Sequence, residues 1–197
     1  LLWDNELITT YFQRNSQLLA TYKGNNSGTD LESELRSHTD YDYSRTSTIS
    51  DIAMPATPGI NKRYYYFNQS HSATYNQVFR VGKNGELGIN AAYLNDRDER
   101  SNQSVTTTLL PDGSKNVVDE SFNGILHRNI ANGNITYMQN TERNYIKEQL
   151  KFDWLSTDGY SNIYAGEDII QENNVENYRL HNLFHLTSRT GSDKGVE

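Results

Sequence analysis

The chain has no cysteine, three prolines and two methionines in 197 residues. Without thiols there is neither a disulfide framework nor a thiolate metal site, although this alone fixes no compartment. Long apolar runs are missing as well: nothing approaches the ~20 residues of a membrane-spanning helix. Leu, Ile, Val and Phe together make only 42 of the 197 residues, a fraction at the edge of what disordered chains carry. Basic excess is also absent. The formal charge is −7 and the pI is near 5.2, which argues against a nucleic-acid partner, since that would need a basic stripe. No G-x-S-x-G elbow, Walker loop or H-E-x-x-H occurs, so neither a catalytic residue nor a cofactor is expected, and the chain does not read as an enzyme.

What is present is a two-residue period. From 65 onward the odd positions run Tyr65, Phe67, Gln69, His71, Ala73, Tyr75, Gln77, Phe79, Val81, and the even ones between them are almost wholly polar. Leu87, Ile89, Ala91 and Tyr93 repeat the pattern against Glu86, Gly88 and Asn90. Such alternation is the signature of strands with two chemically different faces. Lys83-Asn84-Gly85 between the runs supplies Asn-Gly, which tolerates positive φ and marks a hairpin. Residues 63–96 therefore read as a hairpin with strands of about 18 and 11 residues, far beyond the usual 5–6.

Four further strands are expected, at 6–23, 124–139, 145–155 and 175–188. In the first, Ile8, Thr10, Phe12, Leu18, Ala20 and Tyr22 share one parity. In 124–139 the parity slips near 131–133, as at a bulge. In 145–155, Ile146, Leu150, Phe152 and Trp154 oppose Lys147, Gln149, Lys151 and Asp153. In 175–188, Tyr178, Leu180, Phe184 and Leu186 oppose Arg179, His181 and His185. The connections alternate: 82–85, 140–144 and 189–195 are short, whereas 24–62, 97–123 and 156–174 are long and polar. Transmembrane β-barrels alternate in this way, with tight turns on one side and long loops on the other. The expected fold is all-β: one region, 1–197, forming an antiparallel up-and-down meander of about six long strands, a sector of a transmembrane barrel. Lipid would bury the apolar face, so long strands need few aliphatic residues. Phe67, Tyr75, Phe79, Leu87, Ile89, Ala91, Phe152, Leu180 and Phe184 are assigned to that lipid-side face.

LLATYKGNNSGTDLESEL (18–35), PATPGINKRYYYFNQSHSATYNQVFRV (55–81) and ELGINAAYLNDRDERSNQSVTTTLLPDG (86–113) resemble the barrel of TonB-dependent outer-membrane receptors of Bacteroidetes. The resemblance is to the group that carries a carboxypeptidase-regulatory-like domain ahead of plug and barrel. It covers most of the chain and implies an internal slice of the barrel wall, located in the bacterial outer membrane. The implied partners are outer-membrane lipid, the remaining barrel strands, the plug and the TonB complex. The implied process is uptake of a nutrient such as a glycan, siderophore or peptide.

The chemical candidates are sparse. Asp96, Asp98 and Glu99, with Asp158 and Glu167, are the acidic groups placed on outer loops, where they could contact a ligand. Several carboxylates can hold Ca²⁺, but no EF-hand spacing accompanies them and a solvated loop mouth is the better account, so no metal site is assigned. His181 and His185 lie on one strand face roughly 13 Å apart, too far to share an ion. His71 stands on the aromatic face and is assigned to an aqueous interface. Residues 30–36 could form two helical turns capped by Thr29 or Asp30. Tyr64, Tyr65, Tyr66 and Phe67 fit either an aromatic girdle, together with Phe152, Trp154 and Tyr93, or a sugar-stacking platform. The second possibility defines the alternative function: a secreted all-β carbohydrate-binding or adhesion module.

Overall fold

The computed structural model describes residues 1–31, 52–61, 64–65, 67–190 and 194–196. The chain forms β1 (Asp4–Gln13), β2 (Ser16–Asn25), β3 (Phe67–Val81), β4 (Gly85–Leu109), β5 (Lys115–Asn140), β6 (Asn144–Tyr164), β7 (Asp168–Thr190) and a three-residue β8 (Lys194–Val196). All belong to one antiparallel sheet whose spatial order is the order of the chain. This is the expected up-and-down meander, with seven long strands instead of six. Among the described residues β1 pairs only with β2, and β7 only with β6 and β8, so the sheet is open.

Three local expectations are corrected. Residues 6–23 are not one strand but the β1–β2 hairpin, turning at Arg14 and Asn15, where Gln13 pairs with Ser16. The turn reverses the chain and resets the parity, so Ile8, Thr10 and Phe12 lie on the face opposite Leu18, Ala20 and Tyr22. Asn15 is a turn residue without a glycine or proline beside it, which makes the reversal hard to read. At the β3–β4 turn the left-handed glycine is Gly82, at φ +67°, and not Gly85. Val81 pairs with Gly85, and a Cβ on Gly85 would lie 2.5 Å from the Val81 carbonyl oxygen; glycine serves close approach there. The bulge near 131–133 does not form. Ala131, Asn132 and Gly133 keep unbroken register with Tyr93, Ala92 and Ala91 on one side and with Trp154, Asp153 and Phe152 on the other. The apparent slip comes from Ile130, an aliphatic residue on the polar face that packs beside Leu94.

Two of the expected long loops are mostly strand. β4 runs on to Leu109 and β5 starts at Lys115, leaving only the turn at 110–114. There Gly113 N donates to Leu110 O at 2.9 Å and Gly113 takes φ +81°. β6 likewise reaches Tyr164 and β7 begins at Asp168. These extensions are polar on both faces and so lack a periodic signal, while their Val and Thr residues favour extended backbone. The asymmetry survives in another form. The turns at 14–15, 82–84 and 141–143 lie on one edge; the 26–66 connection and both strand extensions lie on the other. The expected helix at 30–36 falls almost wholly outside the described residues. β3 starts at Phe67, later than expected, because Tyr64 and Tyr65 sit in a turn in which Tyr64 N donates to Asn61 O at 3.1 Å.

Among the described residues the buried hydrophobic side chains are Leu31, Ile52 and Leu94. That is no core for a sheet of this size. Leu94, only 1 % exposed, packs with Leu31, Ala92 and Ile130. It fixes the start of the 26–66 connection against β4 and β5. Leu94→Ala is expected to destabilise the fold by about 2–5 kcal/mol, the usual range for truncating a buried leucine. Urea-unfolding midpoints of the two proteins check this, and an unchanged midpoint contradicts the packing role.

Candidate functional site

The unbroken register sorts every side chain onto one of two faces, because directly paired residues point the same way. On the first face Leu7, Tyr22, Ala73, Tyr93, Ala131, Trp154 and Tyr178 form one row across β1 to β7. Two rows nearer the short-turn edge come Tyr11, Leu18, Gln77, Ile89, Ile135, Leu150 and Asn182. The band continues to Leu186, which pairs with Ile146, and is interrupted by Glu148, whose Oε1 accepts from Asn182 Nδ2 at 2.6 Å. On β6 (146–154) and on β7 (178–186) this band is nine residues tall.

Its upper border is sharp. The next row is Asn5, Gly24, His71, Asn95, Asn129, Ser156 and Glu176. The aromatic row is tied to this polar row. Tyr22 Oη lies 2.8 Å from His71 Nδ1, Tyr93 Oη donates to Asn129 Oδ1 at 2.9 Å, and Trp154 Nε1 donates to Glu176 Oε1 at 3.2 Å. Tyr178 Oη donates to the same Glu176 oxygen. Each ring keeps its body on the band and its polar tip beyond it. His71 thus sits at the border, its ring tilted against Trp3 with centroids 5.5 Å apart. Tyr93, Phe152 and Trp154 are interior to their strands, not near the ends, because β4 and β6 run on past them.

Of the nine residues assigned to the lipid-side face, the eight whose side chains are described share this face by register. None of the eight whose side chains are described is buried, and Leu180 is 71 % exposed. They converge on no interior.

The opposite face carries the buried polar side chains, beside exposed apolar ones such as Ile8, Phe12 and Leu183. Asn25, Asn68, Ser70, Ser72, Asp96, Asp98, Asn132, Thr157 and Ser161 are the buried polar side chains, and every one lies on it. Burial of polar groups requires hydrogen bonds, and a connected network supplies them. Asn68 Nδ2 donates to Asn25 Oδ1 at 3.0 Å and to Ser70 Oγ at 2.7 Å; Ser70 Oγ donates to Asp96 Oδ1 at 2.5 Å; Arg128 donates to Asp96 Oδ2 at 2.7 Å. Beside it Arg100 grips both oxygens of Asp98, at 3.2 and 2.6 Å. The network also holds the turn after β2. Asn25 Oδ1 accepts from Ser27 N and Thr29 N at 3.2 and 3.3 Å, and Asn68 Oδ1 accepts from Gly28 N at 2.9 Å. Gly28 takes φ +82°, a conformation open to glycine at no steric cost. The N-N-S-G-T stretch is therefore a clamp between β2 and β3.

The five acidic candidates do not form one site. Asp96 and Asp98 are strand residues of β4 buried on the polar face, each engaged by an arginine. Glu99 lies on the other face, 3.1 Å from Arg97. Asp158 is exposed on that same face, and Glu167 occupies the β6–β7 turn. Among the described residues no His, Asp or Glu cluster could hold a metal. His181 and His185 are exposed on the polar face, as assigned. Asn25, Asn68 and Arg128 were missed as candidates. The first two stand at strand ends in stretches that read only as generic polar parity. Compared with known protein families and curated proteins, the chain matches no family model and no curated sequence.

Burial pushes the Asp98 carboxyl above the ordinary aspartate range, and the hydrogen bond and charge of Arg100 only partly oppose it. The folded state thus favours protonated Asp98. Its contribution to stability is fully present below the unfolded value of about 3.9 and is lost as pH rises through the folded value. Asp98→Asn should gain on wild type as pH rises through that window, measured by paired urea titrations between acid and neutral pH. A stability difference that moves in favour of wild type as pH rises contradicts the assignment. Asn68→Ala, which strands the Gly28 amide and removes a donor from Asn25 Oδ1 and Ser70 Oγ, is expected to cost about 1–3 kcal/mol, read in the same assay.

Proposed function

We propose that the chain is a wall sector of an outer-membrane β-barrel, of the type found in TonB-dependent receptors for nutrient uptake. The observation that carries this reading is the inverted burial: an exposed apolar band on one face and buried polar side chains on the other. Water gives no reason for such an arrangement, since a soluble monomer avoids large exposed apolar patches. A bilayer does. A tilted transmembrane strand needs ~9–11 residues of alternating character, and the band on β6 and β7 is nine residues tall. Tyr22, Tyr93, Trp154 and Tyr178 have the form of interfacial aromatics, ring in the apolar zone and polar tip in the wet one.

In this reading β1 and β7 cannot remain edges within lipid, because their unpaired N–H and C=O groups would each cost several kcal/mol. Further strands complete the wall, toward the about 22 of the receptor class. The polar face then lines an aqueous interior and meets the plug. The strand extensions and the 26–66 connection mark the outer side, and the three short turns mark the periplasmic side. The substrate remains of the general classes implied by the resemblance, a glycan, siderophore or peptide. The acidic groups near the outer edge favour cationic or polyhydroxylated ligands over anionic ones.

Ile89 lies in the middle of the band, paired with Gln77 and Ile135. Ile89→Arg in the intact protein is expected to cost about 2–4 kcal/mol of folding stability in lipid vesicles, as for arginine near the bilayer midplane. Gln149→Arg, on the opposite face of the same wall, serves as the control and should cost much less. Equal costs at both positions sink the barrel reading. Spontaneous folding of the protein as a water-soluble monomer without lipid or detergent would favour the secreted binding module.

A further inference from the structure

We infer that residues 52–55 are a strap seated on the polar face of the wall, holding the end of the long β2–β3 connection inward over that face. The seat is made by two glycines on adjacent strands. A Cβ on Gly159 would stand 2.9, 3.0 and 3.2 Å from three side-chain carbons of Ile52. At Gly124 it would stand 2.5 Å from Met54 Sδ and 3.2 Å from Pro55 Cδ. Neither glycine adopts left-handed backbone, so what each position needs is the missing side chain, not the special φ. Gly124 pairs with Ser161, and Gly159 with Leu126, which places both sockets on the polar face in neighbouring rows.

Polar contacts complete the seat. Ala53 N donates to Gln171 Oε1 at 3.1 Å, and Ser161 Oγ donates to the same oxygen at 3.3 Å. Ile52 is 8 % exposed and Ser161 is fully covered. The other end of the connection is clamped by Asn25, Asn68 and Leu31, as described above. Both anchors lie beyond the apolar band, toward the edge that carries the strand extensions. A solute moving along the polar face from that edge toward the rows of the apolar band therefore has to pass residues 52–55 where they cover Gly124 and Gly159. Only the identification of this face as the aqueous interior rests on the barrel reading; the seat itself does not.

The chain has no cysteine, so engineered thiols report without background. Ile52→Cys combined with Gly159→Cys replaces the crowding carbons with two thiols at the point of contact. The strap requires that the two residues come within the Cβ–Cβ separation of about 3.5–4.5 Å that a disulfide spans. In the intact protein, mild oxidation should give a nearly complete intramolecular disulfide, seen as faster migration of the unreduced denatured chain. Its absence in correctly folded protein overturns the strap. A second arm keeps the wall intact. Ser161→Cys should react with a membrane-impermeant maleimide on the order of ten-fold more slowly in the native background than with Ile52→Gly and Met54→Gly, because covered groups react only through local opening. Equal rates overturn the strap as well. Protease protection of the same samples in vesicles is read separately: a protein that forms the disulfide yet never inserts overturns the aqueous-interior assignment and the barrel reading, and leaves the seat standing.

Discussion

Everything in this molecule depends on an unbroken two-residue register across seven strands. A single slipped residue would carry every side chain of a strand to the wrong face, moving Ile89, Phe152 and Leu180 among the buried Asn and Asp groups. The register is held where the chemistry is least forgiving. The Asn25–Asn68–Ser70–Asp96–Arg128 chain spans β2 to β5 and is satisfied in one alignment of these strands only. Partly satisfied, such a network would destabilise the fold; complete, it specifies it. The polar face thus does the work that a hydrophobic core does elsewhere, and the apolar face is left for the surroundings.

Much of the fold was legible because parity is a local property. The alternations at 67–81, 86–93, 145–155 and 175–188 all fall on the faces assigned to them, since neighbouring residues alone determine them. Three things were not legible. The Arg14–Asn15 reversal carries no glycine or proline, and both flanking segments have apolar residues at either parity. The upper halves of β4 to β7 are polar on both sides and read as loops. Ile130 looked like a register slip because its partners, Leu94 and above all Leu31, come from a part of the chain remote in sequence.

The candidate site was less legible than the fold, for a related reason. Asp96 and Asp98 stood out as acidic groups, but placement on a loop followed from the missing periodicity around them, and their arginine partners are set by pairing with β5 and by spacing within β4. Gly124 and Gly159 read as featureless strand glycines. Their meaning appears only when residues 52–55, more than sixty positions away, are laid across them. A function built on contacts between distant segments leaves little trace in any short stretch.

The β4–β5 ribbon shows how one strand can live in two mechanical regimes. Up to Glu99, β4 is flanked by β3, and from Ser121 onward β5 is flanked by β6. Beyond those points residues 104–109 and 115–120 pair only with each other and are exposed throughout. An isolated two-stranded ribbon is marginally stable in water. Amide protons should therefore exchange along a steep gradient within a single continuous strand, slowest beside Leu94 and fastest near the Leu110 turn. The wall would end in a compliant finger with no hinge, its flexibility set only by how far its neighbours reach.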